Sequence, residues 1–144
     1  MIHELKIKYH TEDLQKIVKI DKGDWIDLRS AYDEEFKAGD FGLIDLGVSI
    51  KIPKGYEAHL VPRSSTFKNY GILQVNSVGI IDESYAGVAD VWKMPVYATR
   101  DTIIKKNDRI CQFRIIEKMH PVIITEVEHM TDDPRGGFGS TGVK

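Results

Sequence analysis

The chain divides into short segments that alternate apolar and polar residues, separated by glycine and proline. Residues 5–9 and 56–61 alternate most clearly, which is the period of a half-buried β-strand. Further strands are predicted at residues 43–52, 72–78, 88–98, 108–116 and 122–127. No segment beyond a turn or two has helical periodicity. Many short strands joined by turns indicate an all-β fold, and we expect a jelly-roll β-sandwich in one domain.

The segments between these strands carry weaker signals. Residues 11–20 are expected to be weakly structured, with at most one helical turn, and residues 32–40 to be a polar surface connection. Pro62 followed by hydroxyl residues resembles a helix start. Residues 131–144 contain four glycines and no packing pattern. We therefore expect a jelly-roll domain over residues 1–130 and a flexible glycine-rich arm over 131–144.

The composition indicates a soluble globular protein. Of the 144 residues, 42% are hydrophobic and 29% are charged, and the formal net charge is −2. No apolar run approaches the roughly 20 residues that cross a bilayer, and no signal-peptide pattern is present. The single cysteine, Cys111, fits a reducing compartment and is expected to be a small buried hydrophobe. We expect a cytoplasmic protein with no membrane partner and no stable nucleic-acid binding.

Residues 76–87 place a carboxamide, a carboxylate and an aromatic ring between two predicted strands. Glycines 79 and 87 would allow the chain to reverse, and the strands would hold Asn76, Asp82 and Tyr85 rigidly. Asp82 is either a turn carboxylate bonded to its own backbone or a general base that activates water. Tyr85 either packs half-buried or lies against a ligand. We interpret this stretch as the wall of a small-molecule pocket.

Two other segments offer groups that suit an anion. Arg63 with the hydroxyls of Ser64 and Ser65 forms either an anion site or a helix cap beside a surface arginine. In the arm, glycine amides and neighbouring hydroxyls either cradle phosphate oxygens or belong to a flexible tail. Phe138 favours the first alternative, because a lone aromatic in a glycine run suits closure over a flat ligand. Asp27 is either a metal-associated carboxylate or a partner of adjacent backbone.

The order of these signals resembles the trimeric dUTPases, enzymes that hydrolyse dUTP to dUMP and pyrophosphate. That family carries five short motifs, and similar segments occur here at residues 23–31, 62–65, 76–87, 107–112 and 135–142. The resemblance implies a jelly-roll homotrimer with three active sites at subunit interfaces. Each site would draw motifs from all three chains, and the arm would cross to a neighbour and close over bound nucleotide.

The resemblance also implies roles for individual residues. Asp82 would activate the water that attacks the α-phosphorus, and Tyr85 would lie against the deoxyribose and exclude a 2′-hydroxyl. The uracil edge would be read by Asn76 and by the backbone of Gly79, Ile80 and Ile81. Phosphates would be held by Arg63, Ser64, Ser65 and Gln112, and Asp27 would bond waters around Mg²⁺. In the arm, Phe138 would stack on the base, and the other substrate-binding residues would be Arg135, Gly139, Ser140 and Thr141.

Three positions depart from the family pattern. Trp25 and Ile26 stand where the first motif usually has Gly-Tyr, and Ser65 stands where the second usually has glycine. Arg135 precedes Phe138 by three residues, whereas an arginine five residues before the aromatic is common in the family. A contact between Arg135 and the γ-phosphate therefore stays open.

Two other functions are weighed against this one. A dCTP deaminase shares the fold and the trimer, but it needs a glutamate at the attacking water and lacks the Gly-Ile-Ile-Asp pattern of residues 79–82. A regulatory protein that binds a partner through a nucleotide-gated arm is compatible with enzymatic activity. The resemblance therefore implies a dUTP pyrophosphatase that limits uracil incorporation into DNA and supplies dUMP for thymidylate synthesis.

Overall fold

A computed structural model describes all residues from Met1 to Lys144, and its regular secondary structure is almost entirely β-strand. The elements are β1 (Lys6–Tyr9), β2 (Ile26–Arg29), β3 (Glu34–Phe36), β4 (Phe41–Asp45), β5 (Val48–Lys51), β6 (Tyr56–Pro62), α1 (Thr66–Tyr70), β7 (Ile72–Gln74), β8 (Gly79–Asp82), β9 (Lys93–Ala98), β10 (Thr102–Ile104) and β11 (Arg109–Glu117). The five-residue α1 is the only helix, and no helix is long and apolar enough to cross a membrane. The predicted all-β class is confirmed.

Two antiparallel sheets form the walls of a jelly-roll sandwich. The larger sheet has the order β2-β11-β6-β8 and the smaller has the order β4-β9-β7, while β1-β5 and β10-β3 form two-stranded ribbons. β6 and β11, the longest strands, run side by side from Cys111 opposite Pro62 to Glu117 opposite Tyr56. This long central pairing gives the fold a rigid support that reaches from one end of the larger sheet to the other.

A single hydrophobic core of 19 buried residues lies between the sheets. Ala58 and Leu60 on β6 point into it, and Trp92 meets Phe113 edge to face with ring centroids 5.1 Å apart. Full burial of an aromatic such as Phe113 stabilises the fold by roughly 1.5–3 kcal/mol. Cys111 is also fully buried, and burial raises the pKa of its thiol. The expectation of a small buried hydrophobe at Cys111 is confirmed.

The predicted strand at residues 43–52 is in fact two strands in different sheets. Gly47 adopts a φ of +70°, and its amide donates to Asp45 Oδ1 at 2.7 Å, so the chain turns between β4 and β5. A Cβ at this position would lie 2.8 Å from Leu14 and 3.0 Å from Ala31. Both the backbone angle and the close packing therefore require glycine here.

The interpretation of residues 32–40 as a surface connection is wrong. This segment contains β3, which pairs with β10, a strand absent from the sequence prediction. Phe36 at the end of β3 is 8% exposed and belongs to the core. Each of the two strands has only three residues, which is too short for an alternating pattern to be recognised.

Other expectations differ in extent. The strands predicted at 72–78 and 88–98 are shorter, at Ile72–Gln74 and Lys93–Ala98. Residues 122–127 form no strand, and every residue from position 119 onward is exposed. A strand requires a neighbour for its backbone groups, and this segment has none within the chain. The helix expected after Pro62 is confirmed as α1, which ends at Tyr70 and is capped by Gly71 with a φ of +64°.

Candidate active site

The segment after β7 passes through a tight turn into β8. Val78 N donates to Asn76 O at 2.6 Å, and Ser77 adopts a φ of +60°. The reversal therefore falls at Ser77, and the prediction that the chain turns at Gly79 is wrong. Gly79 instead begins β8 opposite Leu60. A Cβ at Gly79 would lie 3.5 Å from Asn76 Nδ2, so glycine leaves room beside the carboxamide.

A cleft of about 460 Å³ opens beside β8. It is lined by Ile80, Ile81, Asp82, Ser84, Tyr85, Val91, Trp92 and Lys93. Four of the predicted site residues thus share one cleft, and Asn76 lies at the turn that leads into it. A mainly apolar cleft with a few polar groups is the usual form of a small-molecule site.

The Asp82 carboxylate is held on both of its oxygens. Oδ2 accepts hydrogen bonds from Ser84 Oγ at 2.5 Å and Ser84 N at 2.8 Å, and Oδ1 lies 2.9 Å from Lys118 Nζ. The Ser84 hydroxyl, the Lys118 ammonium and the Ser84 amide, in that order, hold the pKa of Asp82 well below its ordinary value. The carboxylate is therefore ionised at neutral pH, and it both caps its own loop and faces the cleft.

Lys118 and Glu83 are neighbours of Asp82 that the sequence interpretation misses. Lys118 Nζ also lies 3.0 Å from Glu83 Oε1. Their hydrogen bond lowers the pKa of Glu83, and the bonds to Asp82 and Glu83 raise the pKa of Lys118. Lys118 directly follows β11, which is separated from β8 by β6 in the sheet. No sequence pattern links Lys118 to Asp82. Glu83, however, lies within residues 76–87, the segment predicted to form the pocket wall, and this position could have identified it.

Tyr85 lies at the edge of the cleft. Its hydroxyl donates to Val91 O at 3.1 Å, and its amide donates to Asp82 O at 3.0 Å. The side chain is nevertheless 42% exposed. The loop therefore fixes the ring in place while leaving part of its surface free for contact with a ligand.

A second group of predicted residues meets at the far end of the larger sheet. Asp27 Oδ1 lies 3.1 Å from Arg63 Nε, and Asp27 Oδ2 lies 3.3 Å from Arg109 Nη1. Arg29 lies near these side chains. Its pKa is lowered by burial first and by the positive charge of Arg109 second. We call Asp27, Arg29, Arg63 and Arg109 the arginine cluster. Three guanidinium groups around one carboxylate leave a net positive charge, which suits a phosphate-bearing ligand.

The remaining predicted phosphate ligands lie next to the arginine cluster. Ser64 and Ser65 follow Arg63 directly, and the Ser65 side chain makes no capping hydrogen bond to α1. Gln112 Nε2 donates to Pro62 O at 3.2 Å, which places this carboxamide beside the same turn. The structure therefore brings together the residues assigned to the phosphates.

The Asp82 cleft and the arginine cluster lie at opposite ends of β6. Asp82 stands opposite Glu57 near the start of the strand, whereas Arg63 follows its last residue. A strand rises about 3.3 Å per residue, so Asp82 and Arg63 are separated by roughly 20 Å. A single chain does not bring these two residues into one site.

The arm contacts neither group. Phe138 is fully exposed, with a φ of +50°, and the segments around it form isolated turns such as Ser140 N to Gly137 O. Arg135, Gly139, Ser140 and Thr141 are exposed as well. Their assignment to the substrate stays a prediction.

The all-β sandwich presents an ionised carboxylate in a mainly apolar cleft and, separately, an arginine cluster. These are the groups that a hydrolase of phosphorylated small molecules requires. Residues 25–142 match the dUTPase family. The chain is a member of the dUTPase family. This confirms the resemblance that the five motifs indicate.

Individual relatives support the same assignment. The chain is 56% identical to an SPbeta prophage-derived deoxyuridine 5′-triphosphate nucleotidohydrolase of Bacillus subtilis (strain 168), over 98% of this chain and 99% of that protein. It is 34% identical to a deoxyuridine 5′-triphosphate nucleotidohydrolase of Neorickettsia sennetsu, over 94% of this chain and 93% of that protein.

Solved structures share the fold at low sequence identity. The Staphylococcus bacteriophage 80alpha dUTPase with dUPNHPP superposes with a TM-score of 0.79 at 19% identity, covering 97% of this chain and 99% of that one. A mutant dUTPase of phage phi11 of S. aureus, described with a structural Mg(II) ion, superposes with a TM-score of 0.75 at 17% identity, covering 88% and 97%. The jelly-roll prediction is thereby confirmed.

Proposed function

We propose that this chain is a homotrimeric, cytoplasmic dUTP diphosphatase that hydrolyses dUTP to dUMP and pyrophosphate by attack of water on the α-phosphorus. Membership of the dUTPase family supports this proposal. The observation that carries it is the Asp82 carboxylate, which is ionised, hydrogen-bonded on both oxygens and part of an apolar cleft. The reaction would limit uracil incorporation into DNA and supply dUMP for thymidylate synthesis.

Asp82 is the general base of the proposed reaction. It accepts a hydrogen bond from the attacking water and takes a proton as the new oxygen–phosphorus bond forms. Because its hydrogen bonds hold its pKa low, Asp82 is a weak base that mainly orients and polarises the water. The proton then passes to solvent while the bond to the leaving pyrophosphate breaks.

The nucleoside is selected by the turn and by the edge of β8. β8 is the last strand of its sheet, so some of its backbone groups point away from β6 and are unpaired. Asn76 and the backbone of Gly79, Ile80 and Ile81 bind the uracil edge, and cytosine would leave such polar groups without partners. Tyr85 lies against the deoxyribose and leaves no room for a 2′-hydroxyl.

The arginine cluster binds the phosphates together with Ser64, Ser65 and Gln112. Arg63 stabilises the charge that develops on the leaving pyrophosphate, since a guanidinium donates charge-assisted hydrogen bonds to phosphate oxygens. These residues act on the far side of the α-phosphorus from Asp82. The two groups therefore divide the reaction into water activation and leaving-group stabilisation.

The donor set fits a Mg²⁺ ion that is carried mainly by the substrate. No three His, Cys, Asp or Glu side chains come together in a way that could hold a metal, and Asp27 has arginines on both oxygens. Mg²⁺ keeps several waters and is commonly bound by one or two carboxylates plus substrate phosphates. Asp27 would hold those waters, and the ion, when bound, would neutralise phosphate charge.

A homotrimer with shared sites accounts for the separation of Asp82 from Arg63. Contact between the Asp82 end of one chain and the Arg63 end of the next is heterologous, and three such contacts close a ring. The smaller sheet also leaves an apolar row exposed: Phe41, Tyr97 and Leu73 lie opposite one another and are 64%, 43% and 47% exposed. An exposed apolar row of this kind is typical of a subunit interface.

The arm, residues 131–144, orders over nucleotide bound at a neighbouring subunit. Its exposure in the single chain supports this role, because Phe138 has no packing partner of its own. Phe138 would stack on the uracil, while Gly139, Ser140 and Thr141 would bind phosphates through amides and hydroxyls. Arg135, in the same arm, would also bind substrate.

Pyrophosphate release from dUTP, dTTP, dCTP and UTP, each measured with Mg²⁺ and with a chelator, tests this function. We expect turnover of dUTP to exceed that of the other three by at least about a hundredfold in kcat/KM. Cytosine would leave polar groups unpaired, Tyr85 leaves no room for the 2′-hydroxyl of UTP, and dTTP carries an additional methyl group that the uracil site must accommodate. Chelation should reduce dUTP turnover strongly. Ammonia release from dCTP, or equal turnover of all four nucleotides, would contradict the proposal.

A further inference from the structure

We propose that Lys118, held in place by Glu83, is a positioning residue that orients the Asp82 carboxylate toward the attacking water. Lys118 also connects Asp82 to the end of β11. This inference rests on the proposed function. It concerns two side chains to which neither the sequence motifs nor the resemblance assigns a role.

The contacts of Lys118 form a closed loop across three parts of the chain. Its ammonium lies 2.9 Å from Asp82 Oδ1 and 3.0 Å from Glu83 Oε1. Gly55 N donates to Glu83 Oε2 at 3.0 Å, and Lys118 N donates to Gly55 O at 2.9 Å. We call Lys118, Glu83 and Gly55 the lysine clamp. Because both its backbone and its ammonium are fixed, Lys118 differs from a surface lysine that moves freely in solvent.

The lysine clamp limits where water can bind to Asp82. A carboxylate offers about four acceptor positions, two on each oxygen. Ser84 takes two on Oδ2, and Lys118 takes one on Oδ1. One position remains, and it is on Oδ1. A water that binds there has a defined direction, which is what attack on a phosphorus atom in line with the leaving group requires.

The charges around Asp82 explain why an ammonium is needed. The charged and titratable groups near it are Glu57 and His59 on β6, Glu83 and Tyr85 in its own loop, Lys93 on β9 and Lys118. Glu57 lies directly opposite Asp82, and like charges in that position destabilise each other. His59 pairs with Glu57 at 2.6 Å and not with Asp82. Lys118 is the cation that contacts Asp82.

The kinetic test compares Lys118→Met and Lys118→Arg with the wild type across a pH series. In Lys118→Met we expect kcat for dUTP to fall about tenfold or more, with KM within about twofold, because the lysine orients the base without contacting substrate. The acid limb of kcat should move to higher pH. Lys118→Arg should restore most of both properties. Lys37→Met is the matched control, since Lys37 contacts Glu35 at 3.4 Å on the exposed surface.

A second readout does not depend on turnover. The ¹³C resonance of the Asp82 carboxyl, assigned by its loss in Asp82→Asn, should titrate at higher pH in Lys118→Met than in the wild type. An unchanged titration, or a Lys118→Met enzyme with the wild-type kcat and acid limb, overturns the proposal. A shifted titration in a protein that never hydrolyses dUTP contradicts only the proposed function.

Glu83→Gln keeps the inference testable if Lys118→Met does not fold. This variant retains the Asp82–Lys118 pair but weakens the contact that holds the ammonium. We expect a smaller fall in kcat than in Lys118→Met, because the ammonium stays paired with Asp82 but is held less firmly. A Glu83→Gln enzyme with the wild-type kcat overturns the role of the lysine clamp.

Discussion

Asp82 is a loop-capping residue whose contacts also suit the proposed chemistry. Its bonds to Ser84 close the turn after β8, and the same bonds keep the carboxylate ionised. The two readings that the sequence leaves open, a capping carboxylate and a reactive one, are therefore compatible. A carboxylate with fixed oxygens loses little freedom when it binds a water, which favours catalysis by positioning.

Replacement of Asp82 by asparagine should abolish most turnover while preserving the fold. Asparagine keeps the shape but cannot accept a proton, so we expect kcat to fall by about 10²–10⁴-fold. Pyrophosphate release and binding of the product dUMP would separate chemistry from affinity. Asp101→Asn is a suitable control, because Asp101 accepts a hydrogen bond from the Ala38 amide and belongs to neither the Asp82 cleft nor the arginine cluster. Wild-type kcat in Asp82→Asn would show that another group handles the water.

The stability contributed by the Asp82–Lys118–Glu83 contacts should depend on pH at both extremes. The pKa values of Asp82 and Glu83 lie below their ordinary 3.8 and 4.5, so their contribution is present above those values and is lost as the pH falls through the lowered pKa values. The pKa of Lys118 lies above its ordinary 10.5, so its contribution is present below that value and is lost as the pH rises through the raised pKa.

Thermal unfolding followed from pH 3 to pH 11 measures this dependence. The difference in melting temperature between the wild type and Lys118→Met should be largest near neutral pH and should shrink toward both ends of the range. A difference that stays constant with pH would show that lost packing, and not charge, accounts for the change.

At the scale of strands and loops, alternation identifies β1 and β6 but misses β3 and β10. β6 is recognisable because its seven residues repeat the alternation several times. β3 and β10 have three residues each and support one another only through pairing, which no local pattern records. The turn at Ser77 is missed for a different reason, since a positive φ at serine is uncommon and glycine is the expected residue.

The motifs predict which residues belong to the site but not how they are distributed. Asp27, Arg63 and Gln112 come from three segments far apart in the chain and meet because β2, β11 and β6 are adjacent in the sheet. The contact of Lys118 with Asp82 also depends on strand order, although β6 lies between β11 and β8. Such contacts depend on strand order and register, which are properties of the folded sheet and not of any short segment.

Removal of residues 136–144 should abolish most activity and leave the folded domain intact. The arm makes no hydrogen bond or ion pair with the rest of the chain, so its loss exposes no core. We expect unchanged circular dichroism and an unchanged melting temperature, with kcat/KM for dUTP reduced about a hundredfold or more, because the closing segment is absent. Phe138→Ala should cause part of this loss. A truncated protein with full activity would refute the closing role of the arm.

At the scale of the whole molecule, the length of β6 is the basis of the proposed shared site. The strand rise puts roughly 20 Å between Asp82, which we propose activates water, and Arg63, which we propose binds phosphate. A dUTP molecule that contacts both groups within one chain would have to span that distance. In the proposed trimer, no substrate has to span this distance, because the Asp82 end of β6 in one chain faces the Arg63 end of β6 in the next chain.

Mixing two inactive variants tests this arrangement. The Asp82→Asn and Arg63→Ala proteins, unfolded together in equal amounts and refolded, should form mixed trimers if the proposed assembly is correct. If each site takes Asp82 from one chain and Arg63 from the next, about one quarter of the sites contain neither substitution, and about a quarter of the wild-type activity should return. Asp82→Asn refolded with the Asp82→Asn, Arg63→Ala double variant is the control and should stay inactive. If the mixture of single variants is as inactive as that control, both residues act within the same chain, and the heterologous contact between the two ends of β6 is not the one that builds the site.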